Sequence, residues 1–296
     1  MLSRMFAAFA LGFALSLTAC AEREEAVDFP GVNPLVYEIA NADGEVEGWM
    51  LGTIHALPDG VSWRTQTIES LVADADYLWV EVAELENRAQ IALTFGELAG
   101  TEGLGPLNDR VEEDLREPLA TMIARSDFPA GDFADTESWA AAIMLSRVDA
   151  NGDPGNGVDR ALIRDFAQRE VRGFETAAGQ LGVFDQLAEE DQRDLLEGTV
   201  REWAASRDEP GKLMRAWIAG DLAVLEEATK TGIMADPELR DALLVGRNED
   251  WIEPLVQSLQ ADERPLVAVG TAHLIGPDGL AAMLEARGFT VTRLNN

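Results

Sequence analysis

The chain contains only two histidines, and each closes the same kind of tetrapeptide, Gly52-Thr53-Ile54-His55 and Gly270-Thr271-Ala272-His273. Each follows an apolar, strand-like stretch and precedes a Pro-Asp-Gly turn, Pro58-Asp59-Gly60 and Pro277-Asp278-Gly279. With 26 glycines in 296 residues, two such coincidences are improbable, so the pair constrains the fold. A strand that ends on glycine lets the backbone turn sharply and come close to a ligand. Ligands collect outside the carboxyl ends of strands in open α/β sheets, and two neighbouring exits would bring both imidazoles to one site.

Neutral imidazole is a good ligand for Zn, Mn, Co or Fe, and two of them call for a carboxylate. Among 54 acidic residues, Glu81 stands out because it interrupts the apolar run Tyr77 to Ala83, where a charge is costly unless paired or metal-bound. Thr53 and Thr271 are expected to fix the turns through hydroxyl-to-backbone bonds, and Asp59 and Asp278 are first of all turn residues.

Around these motifs the pattern predicts an α/β fold: a small central mixed sheet built from strands at both chain ends, with a largely helical middle. Leu35 to Ala40 and Val46 to Leu51 flank Asn41-Ala42-Asp43-Gly44 as a β-hairpin. A helix over 62–75, the strand at 77–83, a short strand at Val171 to Phe174, a strand at Pro265 to Val269, a helix over 277–287 and a last strand at Phe289 to Leu294 follow. Asp236-Pro237-Glu238 reads as an N-cap with proline in the first turn. The seven tryptophans, at helical or strand spacing, are expected in the core.

The basic residues number 23 against 54 acidic ones, a formal net charge of -31, which argues against nucleic acid as a partner. A single cysteine excludes an internal disulfide and a Cys-based zinc site. That cysteine, Cys20, closes MLSRMFAAFALGFALSLTAC, which has the form of a secretory signal. Leu17 to Cys20 resemble a bacterial lipobox, so residues 1–20 are expected to be removed, Cys20 lipidated, and the protein anchored by lipid on the periplasmic side, at an outer membrane. Residues 21–33 read as a tether and 34–296 as one domain.

The segments LGTIHALP (51–58), WVEVAE (79–84), SWAAAIML (138–145), GVDRALIRDFAQREVRGFETAAGQL (157–181), RNEDW (247–251) and VAVGTAHLIGPDGLAAMLEARGFTVTRL (267–294), in this order, resemble the TraB/GumN family, which is related to the TIKI metalloproteases. Ser138 stands where that family usually has proline. The resemblance implies a fold of the erythromycin-esterase/haem-binding-lipoprotein type and a divalent-metal-dependent hydrolase with His55, Glu81 and His273 as metal ligands. It adds Glu175, Arg247 and Asn248 to the catalytic set, with Glu81 or Glu175 as proton acceptor and Arg247 facing an oxyanion. The ion would be Mn, Co or Zn and the substrate a peptide or small molecule, with a peptide amide as the bond cleaved. Two other functions fit the same pocket: a non-catalytic lipoprotein that binds haem, metal or peptide, and a metal-free esterase-like enzyme with one His as general base. A serine nucleophile elbow is excluded, since no Gly-x-Ser-x-Gly occurs.

Overall fold

The computed structural model describes residues 31–295. Cys20, the signal and most of the expected tether therefore lie outside the described residues. Asn33, the last residue of that tether, is already part of the fold, since its N–H donates to the Ile218 carbonyl at 2.7 Å.

Among the described residues, six strands form one mixed sheet: β1 (Val36–Ala40), β2 (Val46–Thr53), β3 (Tyr77–Val82), β4 (Val171–Glu175), β5 (Pro265–Gly270) and β6 (Thr290–Leu294). Their order is β4-β3-β5-β2-β1-β6. The hairpin forms as its sequence dictates: Gly44 takes the left-handed conformation at φ +83°, and the Asn41 side-chain oxygen accepts from the N–H groups of Asp43 and Glu45. β1 is antiparallel to β2 and β6. The other four strands run parallel, with Thr53 opposite Gly270, Val80 opposite Ala268 and Val82 opposite Glu175. One edge of the sheet thus collects the carboxyl ends of β2, β5, β3 and β4.

The described residues form twelve α-helices besides the sheet: α1 (Gln66–Asp74), α2 (Arg88–Leu98), α3 (Arg116–Arg125), α4 (Ser138–Leu145), α5 (Val158–Asp165), α6 (Ala177–Asp185), α7 (Glu189–Ser206), α8 (Lys212–Ala219), α9 (Leu222–Ala228), α10 (Pro237–Arg240), α11 (Gly246–Leu259) and α12 (Leu280–Glu285). Side-chain caps at Thr65, Asn87, Thr176, Asp221 and Asp236 satisfy first-turn N–H groups of α1, α2, α6, α9 and α10. The helix expected over 277–287 is shorter: Gly279 keeps an extended backbone as its N-cap, so Pro277 and Asp278 remain in the turn.

Two apolar clusters hold this together. One is built on the sheet, with Met50, Leu78, Val267, Trp217, Trp251 and Leu255 among its buried members. The other lies within the helical middle, where α4 packs on α7 through Trp139, Ala142, Leu196 and Val200. Six of the seven tryptophans are buried and Trp79 is half-buried, as expected for core residues. Among the described residues, no helix is long and apolar enough to cross a membrane.

Candidate active site

The four parallel strands each deliver one side chain to the same end of the sheet: His55 just past β2, His273 just past β5, Glu81 near the end of β3 and Glu175 at the end of β4. Arg247 and Asn248 arrive from the first turn of α11. Before that turn the helix widens into a π segment, Asp241–Val245, where the Gly246 N–H bonds to the Asp241 carbonyl; such segments are often found at functional sites.

The glycines of the two motifs do different work. Gly52 admits the neighbouring chain: a Cβ there would lie 2.6 Å from Thr271 Oγ1, whose hydroxyl donates to the Thr53 carbonyl at 3.0 Å. Gly270 keeps a hollow open, since a Cβ would sit 3.0 Å from Glu81 Oε1, 3.6 Å from His55 Nε2 and 3.7 Å from His273 Cδ2. Thr271 makes the expected hydroxyl-to-backbone bond. Thr53 does not: its hydroxyl donates to Asp159 Oδ1 at 2.6 Å, because the start of α5 brings that carboxylate beneath the exit of β2.

The imidazoles sit in contrasting surroundings. His55 leaves 67% of its side chain exposed and His273 only 7%. His55 Nδ1 donates to Asp159 Oδ2 at 2.9 Å; that carboxylate raises its pKa to about 9 against the opposing effect of burial, and the solvent on the ring's open side screens part of the attraction. His273 Nδ1 donates to Asn248 Oδ1 at 2.7 Å, its ring lies 4.5 Å from the Trp251 ring centre, and burial lowers its pKa to about 4. His273 is therefore neutral near pH 7, with its Nε2 lone pair accepting from Arg247 Nη1 at 3.1 Å.

Glu81 accepts from the Gly270 N–H at 2.7 Å through Oε1, and from Arg247 Nη2 at 2.8 Å and Gln180 Nε2 at 3.2 Å through Oε2. Burial would raise its pKa, but the two imidazoles, Arg247 and the Gly270 N–H outweigh it and hold the carboxyl at about 2. Glu175 grips Arg247 in a fork, with Nε to Oε1 at 2.8 Å and Nη2 to Oε2 at 3.1 Å, and accepts from Trp251 Nε1. The remaining Arg247 donor reaches the Leu243 carbonyl in the π segment. All five guanidinium N–H groups are thus engaged by protein, so Arg247 here clamps two carboxylates and offers no free donor to an oxyanion.

A cavity of about 550 Å³ opens over this cluster. His55, Glu81, Gln180, Arg247 and His273 line its floor, and its walls are apolar, with Phe184, Trp217, Met234 and Leu244 among them. Glu175 and Asn248 do not line it: both act from behind, Glu175 on Arg247 and the fully buried Asn248 on His273. The sequence reading missed Asp159 and Gln180. Asp159 lies in the Gly-Val-Asp-Arg stretch already noted, but nothing in its spacing tied it to a histidine 104 positions away.

Matching of the whole chain gives the same outline as its motifs, for the TraB/PrgY/gumN family model matches residues 35–293. The chain belongs to the TraB/PrgY/gumN family. No curated protein and no solved structure matches it.

The site of this TraB/PrgY/gumN chain suits a divalent cation by its donor chemistry. Both imidazoles donate through Nδ1, which leaves each Nε2 as the ligating atom, and the Gly270 hollow lies beside Glu81 Oε1 and His55 Nε2. As the side chains stand, Arg247 bridges Glu81 and His273, whose Nε2 is 4.0 Å from Glu81 Oε1. Among the described residues, no three His, Cys, Asp or Glu side chains form a ready-made ligand cluster. Binding would require the guanidinium to give up His273.

Proposed function

We propose that this protein is a divalent-metal-dependent hydrolase of the bacterial cell envelope, acting on a peptide bond, with His55, Glu81 and His273 holding the ion. The observation that carries this reading is the convergence of three parallel strand ends on the Gly270 hollow, where two imidazoles of fixed tautomer and one carboxylate face a cavity. Mn, Co or Zn would supply a bound water of lowered pKa and a Lewis acid for the scissile carbonyl.

The chain's own groups divide the remaining work. Of the two carboxylates, Glu81 alone lines the cavity and would become a proton acceptor only once Arg247 withdraws from it, since its present donors hold it far below a working base, while Glu175 keeps Arg247 in position. Release of His273 by Arg247 would return one N–H to the cavity, directed at charge developing on a substrate oxygen. The apolar walls shed water and leave the polar contacts on the floor.

The finer fold assignment, the erythromycin-esterase/haem-binding-lipoprotein type, belongs to the same proposal and is supported by the parallel strand exits. So does lipid anchoring on Cys20, supported by the lipobox-like sequence; a Cys20→Ser variant should lose incorporation of labelled palmitate in cells.

Elemental analysis of the purified protein, loaded in turn with Mn, Co and Zn, tests the central reading. About one ion per chain, lost in the His55→Ala/His273→Ala variant, followed by cleavage of a peptide library, is the expected result. Failure of the native chain to bind any of the three sinks the metal reading. Activity that survives chelation and rises as His55 loses its proton at alkaline pH would then favour metal-free general-base catalysis by His55, and ligand retention without product would favour a binding lipoprotein.

A further inference from the structure

Both histidines donate through Nδ1, yet one acceptor is a carboxylate and the other an amide. The reason lies one bond further out. Asn248 Nδ2 donates to the Asp278 carbonyl at 2.8 Å and the His273 carbonyl at 3.4 Å. Two acceptors on that side turn the amide so that its oxygen faces His273. Asp159 has the opposite neighbour: its second oxygen receives the Thr53 hydroxyl at 2.6 Å. Donors stand on both sides of Asp159, and a carboxylate accepts from both without the Thr53 hydroxyl having to turn round and leave its own buried proton without an acceptor.

The surroundings hold Asp159 rigidly. The carboxylate is 4% exposed and sits in the first turn of α5. The Val158 N–H donates to the Ile54 carbonyl at 3.0 Å, and Leu57 and Asp153 exchange backbone hydrogen bonds beyond His55. Gly157 lies so close that a Cβ would collide with the His55 carbonyl. The β2 exit and the α5 start are therefore tied together by backbone contacts.

We infer that Asp159 is the positioning residue of His55, and that it must be a carboxylate: it fixes the ring as the Nδ1–H tautomer and so leaves Nε2 free to face the cavity. With the Thr53 hydroxyl kept as donor, asparagine at this position gives its single oxygen to that hydroxyl and turns its NH2 toward His55. The ring must then accept at Nδ1 and carry its proton on Nε2, the atom that faces the Gly270 hollow. A tautomer error of this kind is costly in serine proteases, where the aspartate of the triad has the same task. The consequence for metal rests on the proposed function; the tautomer itself does not.

With only two histidines in the chain, long-range 15N–1H correlation on the full protein labelled with 15N-histidine reads both tautomers at once, at alkaline pH where both rings are neutral. The native chain is expected to show two Nδ1–H rings. In Asp159→Asn one ring switches to Nε2–H, the other is unchanged, and zinc affinity falls by about 10–100-fold. In Thr53→Val/Asp159→Asn the amide oxygen is released to His55, so Nδ1–H returns and affinity recovers. A folded Asp159→Asn variant with both rings still Nδ1–H overturns the inference, as does a double variant that keeps Nε2–H. If Asp159→Asn does not fold, the double variant, which lacks the conflict, decides alone. A native chain that binds no zinc removes the metal reading of the site, while the tautomers still decide the role of Asp159.

Discussion

The exits of β2 and β5 carry nearly the same four residues but were given opposite environments. After β5 the chain turns inward through a short 3-10 segment, Thr271–His273, and its imidazole is covered by Trp251, Asn248 and Arg247. After β2 it runs outward, and its imidazole lines the same cavity but stays largely exposed against Asp159. The difference teaches that a repeated motif fixes where a side chain leaves the sheet and leaves its electrostatics to whatever packs behind it. Helix α11 packs behind one and the start of α5 behind the other.

The largest effect should come from the buried side. Arg247→Ala leaves Glu81 and Glu175 without their shared cation, and removing one partner from such a buried cluster costs about 3–5 kcal/mol; urea unfolding of the metal-free protein measures it. A loss below about 1 kcal/mol, typical of exposed ion pairs, would erase the contrast between the two exits.

The motif glycines should then part company. Gly52→Ala drives a methyl against Thr271 and should destabilise by about 1–3 kcal/mol, the usual cost of overpacking. Gly270→Ala should chiefly remove the hollow, so zinc binding by calorimetry falls further than the melting temperature does. Equal effects on both readouts at both glycines would contradict the division of roles.

Titration sharpens the same comparison. In the metal-free protein the two imidazole signals should titrate near 9 for His55 and near 4 for His273. The signs differ accordingly. The His55 contribution to stability is fully present below its ordinary value of 6.5 and is lost as pH rises through 9. The His273 contribution, which comes from a neutral buried ring, is present above 6.5 and lost as pH falls through 4. Two signals both titrating near 6.5 would mean the environments are alike. The smallest effect is expected at Thr53→Val, about 1 kcal/mol for one hydrogen bond, read by thermal melting.

Much of this site was legible because its signals are local. A charge inside an apolar strand marked Glu81, glycine before each histidine marked the exits, and the Asn41 to Gly44 turn set the hairpin. Glu175, Arg247 and Asn248 came from family resemblance, since a carboxylate among 54 or an arginine on a helix has no spacing that announces its partner. Asp159 was missed for the same reason, its contact with His55 being made only when α5 docks. The π segment ahead of Arg247 leaves no mark in a 3.6-residue pattern, because it alters the winding without changing the residue types.

The strand order also sets a schedule for assembly. The β1–β2 hairpin and the β3–β4 pair can form early in synthesis, but they are joined only by β5, which begins at Pro265 and lies between them. Until β5 is made the two pairs have no strand between them, and the closing contacts span more than two hundred residues, as in the Thr53–Thr271 bond, the kind of long-range pairing that folds late. Any product truncated before that strand lacks both the splice between the halves and one of the two imidazoles. The chemistry of the site is thereby tied to completion of the chain.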